Sequence, residues 1–383
     1  MLCNLNPYKY SVVKEESAFA DINELMSQLE MAQKRIKIPN DKFHFTESRL
    51  SELYQTERAL LMLELMSAQL KESDRLLATY NFTDLVTECT FAGKNCYSND
   101  FTRVMHPVYG ACFVFDGTRN ISRAGALYGL RLLLTAQQTL PATGQDDYLP
   151  SSRYVGFRMI LFTNGTYPDI DTTGENLGVG LQHSVSVTKA MRNRIEPPFG
   201  TCTERDTNEN YYENFTYTMT TCYMSCIQRE TIRVCGCAHP HYNAPRNATT
   251  CASVKDMLCL ETLHGDQKNI ANPNLNVVND CGCRPECQET RYDLVTSSAI
   301  FPAFDYSVGA ERRPADIAEF YQFGKNANNT DLNSFARRNH QYYSISHSFS
   351  LKFDRIEKFD IRNTKENIRT FERIDSGIIS QCE

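Results

Sequence analysis

The chain has 383 residues, with 46 acidic against 40 basic side chains and a formal charge of −6. That balance leaves no electrostatic footprint for nucleic acid or for an anionic membrane surface. Neither does any run reach the roughly 18 to 20 uncharged apolar residues that a membrane helix needs.

The start, MLCNLNPYKY, lacks the basic and apolar regions of a signal peptide. With extracellular-type cysteine usage and no export signal, the sequence reads as a piece of something longer. EESAFADINELMSQLEMAQKR (15–35) repeats apolar residues at three- and four-residue spacing (Phe19, Ile22, Leu25, Met26, Leu29), which predicts a helix closed by Pro39. Thr46 is placed to cap a second helix running to about Tyr80, with Leu50, Leu53, Tyr54, Leu60 and Leu61 on one face. Two apolar stretches, ALLMLELMSA (59–68) and GLRLLLTA (129–136), are short and carry Glu64 and Arg131.

Beyond Cys112 the period changes from helical to alternating. YVGFRMILF (154–162) and SVSVTK (184–189) are strand-like runs bounded by Gly, Asn and Pro. In YSISHSFSLKFD (343–354), Tyr343, Ile345, His347, Phe349, Leu351 and Phe353 alternate with polar residues, which predicts a strand with one buried face and makes His347 a satisfied core histidine. Segment 305–335 is polar and reads as a surface loop or short helix. Asn81, Asn120, Asn164, Asn214, Asn247 and Asn328 each head an N-x-S/T triplet and are glycosylation candidates.

The cysteines are the main chemical signal. Of 15, ten fall between Cys202 and Cys287, and none falls between Cys3 and Cys89. Such density means an oxidising compartment or bound metal. A zinc reading takes Cys222, Cys226, Cys235, Cys237, His239 and His241, but ten cysteines exceed one site and lack the paired CxxC knuckles of two. Redox catalysis needs a CxxC-type pair, and none is present. Two Cys-x-Cys pairs, 235/237 and 281/283, put both side chains on one face of an extended segment and suit a ladder of structural disulfides. Fourteen cysteines pair in about 135,000 ways, so spacing leaves the connectivity open.

Four stretches together resemble the extracellular region of the degenerin/epithelial sodium channel/acid-sensing ion channel superfamily, with nematode degenerin-like wording. They are LCNLNPYK (2–9), TECTFAGKNCYSNDFTRVMHPVYGACFVFD (87–116), the group GLRLLLTAQQ (129–138), YLP (148–150) and PPFGTC (197–202), and the cysteine array ending in CGCRPECQETRY (281–292). The resemblance implies an α+β fold: a β-rich palm and β-ball with a helical finger over 15–80. It extends the finger end, palm and β-ball over 81–201, and gives a cysteine-rich, disulfide-stapled thumb over 202–287 and a knuckle, palm return strand and tail over 288–383. By position it implies bridges Cys3–Cys112, Cys89–Cys96, Cys202–Cys287, Cys222–Cys283, Cys226–Cys281, Cys235–Cys259 and Cys237–Cys251. Cys382 is left over, and His239 and His241 become ordinary surface residues.

The departures are informative. The resemblance implies two membrane helices and a Gly-x-Ser filter, none of which stands in these residues, so the chain as given holds no pore. Phe199 stands in PPFGTC where proton-gated relatives carry Trp in a gating contact, keeping a ring and losing the indole donor. After YLP the sequence reads SSRYVG in place of a carboxylate cluster, which argues against proton gating of that type. Glu261 and Asp266 stand where the relatives' remaining acidic residues lie, and by themselves read as exposed solvating charges.

The resulting expectation is a non-enzymatic, cofactor-free extracellular domain of an amiloride-sensitive-type sodium channel subunit. It would work in a homo- or heterotrimer with related subunits at the plasma membrane, coupling a mechanical, peptide or proton stimulus to sodium flow. Extracellular matrix or a peptide would be its external partner. The alternative is a secreted disulfide-rich binding protein or decoy derived from such a channel. HExxH, GxSxG and phosphate-loop motifs are absent, which argues against an enzyme.

Overall fold

In the computed structural model, which describes residues 1–46, 51–117, 128–138, 146–205, 211–264, 281–301 and 346–353, the chain begins as a strand and turns helical. β1 (Leu2–Asn4) leads to α1 (Tyr10–Glu15) and, through a 3-10 turn, to α2 (Ala20–Gln33). The apolar positions that predict this helix form its buried face: Phe19, Ile22, Leu25, Met26 and Leu29 are each at most 1% exposed, as a period of 3.6 requires.

α3 (Glu52–Gln69) and α4 (Glu72–Ala78) follow, and they correct the expectation twice. Thr46 does not cap α3; its hydroxyl donates to Asp41 Oδ2 at 2.5 Å, and the helix starts after Ser51. The predicted face is also displaced. Leu53 is 51% exposed, Tyr54, Leu60 and Leu61 are half-buried, and Ala59, Met62, Leu63 and Leu65 are buried instead. Leu50 lies outside the described residues.

The middle of the chain is α5 (Phe82–Leu85), β2 (Val86–Phe91), β3 (Lys94–Asn95), β4 (Phe101–His106), β5 (Gly110–Phe115), β6 (Arg131–Thr135), β7 (Gly156–Met159), α6 (Ile170–Thr173), β8 (Glu175–Gly178) and β9 (Leu181–Asn193). Then come α7 (Met219–Cys235), α8 (Val254–His264), β10 (Gln288–Ile300) and β11 (Ser346–Phe353). One sheet has the order β4-β5-β1-β7-β8 and the other β10-β9-β11-β6-β2-β3. GLRLLLTA becomes β6, inside the six-stranded sheet, with Leu132, Leu133 and Leu134 buried. The strand expected over 343–354 is β11, which places His347 opposite Leu134. Segment 305–335 lies outside the described residues.

Two motifs distant in sequence meet in one buried polar network. Asn4 and Asn6 of CNLNPYK are fully buried. Asn6 Nδ2 donates to the Tyr8 carbonyl (2.7 Å) and Tyr80 Oη (2.8 Å), while its Oδ1 accepts from Leu149 N (3.1 Å) and Ser152 Oγ (2.8 Å). Asn4 Oδ1 accepts from Asn6 N (3.0 Å) and from the hydroxyl of Tyr148 (2.9 Å). These side chains are held inside because every polar atom finds a partner there. The helices share a core with the cysteine-rich segment, since Cys237, Cys251, Met257 and Leu260 join the cluster of Phe19, Leu25 and Leu65.

Candidate functional site

The cysteine-rich segment hangs from a ribbon formed by β10 and β9 at the edge of the six-stranded sheet. β9 and β10 pair antiparallel from Asn193 opposite Gln288 to Leu181 opposite Ile300. Residues 194–287 therefore leave and re-enter the fold at one end of that ribbon. Cys202–Cys287 closes this end, flanked by a bridge between Thr203 and Glu286. Arg194 reinforces it: its backbone N–H donates to the Cys287 carbonyl (2.8 Å), its Nη1 to the Glu286 carbonyl (2.7 Å), and its Nη2 pairs with the Glu289 carboxylate.

Inside the segment, Cys222 bonds Cys283 and Cys226 bonds Cys281. The Cys-x-Cys pairs are not extended as the sequence suggests, since their middle residues Gly236 and Gly282 are both left-handed (φ 74° and 61°); on the helix side, four residues advance about 6 Å. The i, i+4 pair on α7 is thus bonded, rung for rung, to an i, i+2 pair on the returning segment, ahead of β10. Gly236 ends α7 in the left-handed conformation (φ 74°), and its amide donates to the Ile232 carbonyl. This reversal lets Cys235 reach Cys259 on α8 and Cys237 reach Cys251. Cys3 and Cys112, directly opposite on β1 and β5, are bonded, as are Cys89 and Cys96. These bonds leave the cysteines of the zinc reading without thiolates.

Phe199 is 89% exposed in a turn at the base of the segment, next to exposed Ile195. A Cβ on Gly200 would stand 1.8 Å from the Ile195 carbonyl oxygen, so the tight turn that presents Phe199 requires glycine there. Glu261 is not a free solvating charge: its two carboxylate oxygens accept from Arg58 Nε (2.9 Å) and Nη2 (2.8 Å), and Arg58 is buried. Asp266 and Cys382 lie outside the described residues.

His239 and His241 are likewise not ordinary surface residues; His239 is buried and His241 nearly so. Gln228, fully buried on α7, fixes the turn that holds them: its Oε1 accepts from His239 N (3.0 Å), and its Nε2 donates to the His239 (3.0 Å) and Tyr242 (3.1 Å) carbonyls. His241 Nδ1 stands 3.1 Å from Glu64 Oε1 on α3 and its Nε2 3.3 Å from Asp171 Oδ2 on α6. Asp171 Oδ2 also meets His106 Nε2 at 3.4 Å. Burial alone would lower the affinity of His241 for its proton, but hydrogen bonds to Asp171 and Glu64 outweigh it and push the pKa up to about 10. Burial would raise that of Asp171, and the hydrogen bonds from His106 and His241 hold it well below 3.8. The sequence offered one hint of this cluster, a carboxylate at Glu64 inside an apolar helix face. Asp171, brought in from a short polar turn, offered none.

The family profile described as "Amiloride-sensitive sodium channel" matches residues 1–357. The chain belongs to the amiloride-sensitive sodium channel family. It is 38% identical over 321 residues to "Degenerin-like protein asic-2" of Caenorhabditis elegans, covering 80% of this chain and 57% of that protein. It is 31% identical over 275 residues to "Degenerin mec-10" of the same species (67% of this chain, 35% of that protein). To "Epithelial sodium channel subunit beta-2" of Xenopus laevis it is 29% identical over 266 residues (66% and 39%). The matched region thus spans less than two thirds of each relative. Among the described residues of this sodium channel family member, no helix is long and apolar enough to cross a membrane. Of the glycosylation candidates, Asn81, Asn164, Asn214 and Asn247 are exposed, while Asn120 and Asn328 lie outside the described residues.

Proposed function

We propose that these residues form the extracellular region of a sodium channel subunit, with residues 202–287 acting as a stiff thumb that transmits an external stimulus along the β9–β10 ribbon. The observation that supports this reading is the way the segment is attached. Its five disulfides restrict local unfolding, and its covalent exits run through neighbouring strands closed by Cys202–Cys287. A displacement of the thumb is therefore passed to a ribbon on the order of 40 Å long instead of being absorbed within the segment.

In this reading 15–80 is the finger, 81–201 contributes the finger end, palm and β-ball, and 288–383 the knuckle, palm return strand and tail. The subunit assembles as a homo- or heterotrimer with related subunits at the plasma membrane and acts without catalysis or a cofactor. Exposed Phe199 and Ile195, at the thumb base, form the contact toward the membrane segments. The stimulus is mechanical or a peptide: the residues after YLP are Ser151 and Ser152, and Ser152 is engaged with Asn6, so no carboxylate cluster stands there to sense mild acid.

The test is electrophysiology on the complete open reading frame that contains these residues, alone and with related subunits, under stretch, peptide and acid. Amiloride-blockable sodium current evoked by stretch or peptide supports the proposal, and current evoked by acid alone overturns the assigned stimulus. Surface-delivered protein that yields no current in any combination overturns it, and recovery of the product in the medium instead favours the secreted binding protein.

A further inference from the structure

Both ring nitrogens of His241 face carboxylate oxygens, so both must donate; a neutral tautomer would point a lone pair at Glu64 or at Asp171. His241 is therefore held as the imidazolium. His106 differs: its Nδ1 accepts from Val108 N (3.3 Å), which leaves its proton on Nε2, toward Asp171. Other charged and titratable groups pack around them, among them Tyr8, whose hydroxyl pKa is raised by burial first and in part by Glu64. Arg158 on β7 is occupied by the carbonyls of Ile170 and Asp171 and by Asn176. His239 Nδ1 accepts from His241 N at 3.1 Å and stands 3.8 Å from Glu64. Tyr109, Tyr167 and Tyr242 stay protonated, burial and then the nearby carboxylates raising each of them. Asp169 caps α6 through Thr172 N. Among the described residues, no group of His, Cys, Asp and Glu is placed to hold a metal ion.

These contacts lie where three parts of the fold meet: α3, the β4–α6 side of the five-stranded sheet, and the turn that follows α7 in the stapled segment. Separating the turn from the other two would leave His241 solvated, with an ordinary value near 6.5.

We infer that Glu64, His241, Asp171 and His106 form a proton-linked latch, in which closing the stapled segment against α3 and α6 takes up one proton at His241. The sign follows from the closed state binding the proton more tightly. The latch contribution is complete at or below pH 6.5 and declines as pH rises toward about 10. The carboxylate side works in reverse, since the contribution of Asp171 is present above 3.8 and lost as pH falls below it. Mild acid therefore tightens this junction and alkali loosens it.

The experiment is histidine-detected NMR titration of the full chain, with thermal unfolding measured from pH 5 to pH 9.5. The expected result is a His241 ring still protonated at pH 8, at least tenfold above the proton affinity of a solvated imidazole, and a melting temperature that falls from pH 6.5 to 9.5. In Glu64→Gln, which keeps the shape and removes one charge, the His241 affinity should drop at least tenfold. In His241→Gln the alkaline fall in melting temperature should shrink. A His241 ring titrating near 6.5 in the wild type overturns the latch, as does an affinity unchanged in Glu64→Gln. Should His241→Gln fail to fold, the wild-type and Glu64→Gln titrations decide the matter alone.

Discussion

Arg58 on α3 and Glu261 on α8, 203 residues apart, form a two-pronged ion pair with both side chains withdrawn from water (6% and 17% exposed). Arg58 Nη1 also donates to the His44 carbonyl (2.6 Å), so one guanidinium ties the α2–α3 connection, α3 and the stapled segment together. Breaking such a pair leaves an uncompensated charge in the core. Arg58→Ala should cost about 3–5 kcal/mol, and a double-mutant cycle with Glu261→Ala should show strong coupling. Denaturant unfolding with the disulfides intact measures this. Additive losses would mean that the pair is independent of the fold's junction.

Asn6 should be as sensitive as a large core residue. Asn6→Ala removes partners from Tyr8, Tyr80, Leu149 and Ser152 at once, and a single orphaned buried group costs about 1–3 kcal/mol. A loss of at least about 2 kcal/mol is expected by the same denaturation assay, and a smaller effect would indicate that water replaces the side chain.

Gly236 and Gly110 separate conformational strain from collision. Nothing stands near a Cβ at Gly236, so Gly236→Ala should cost only the left-handed backbone penalty of about 1–2 kcal/mol. At Gly110 the same change meets the Pro7 carbonyl oxygen at 2.5 Å and should lower secretion and stability further. Comparable melting temperatures for the two variants would contradict this ranking.

Removing one rung, by Cys222→Ser together with Cys283→Ser, should lower stability by about 2–4 kcal/mol while the outer and inner bridges remain. Non-reducing peptide mapping of the secreted variant should still recover Cys202–Cys287 and Cys226–Cys281. Reshuffled partners would show that the ladder's order depends on the missing rung.

Phe199→Ala should leave the melting temperature within about 0.5 kcal/mol equivalent of the wild type, since the ring is exposed. In a complete channel the same variant should alter the response to stimulus. An unaltered stimulus–current relation would remove Phe199 from the gating pathway.

Local order in the chain is encoded locally. The spacing of Phe19, Ile22, Leu25, Met26 and Leu29 determined both the existence of α2 and its buried face, because a helix packed on one side needs only a period. The alternation over 343–354 determined that a strand, β11, forms there, and the order of motifs along the chain determined the family. What the sequence did not contain was which distant groups meet. α3 is covered by both α2 and α8, so its buried set wraps past the apolar stripe and includes Arg58 and Glu64, while Leu53 is left in water. Glu261 became a half-buried anchor, and His239 and His241 were withdrawn from the surface, only because their partners Arg58, Gln228, Glu64 and Asp171 arrive from other elements. A charge is legible as exposed or buried only once its counter-charge is placed, and that placement is a property of the tertiary structure.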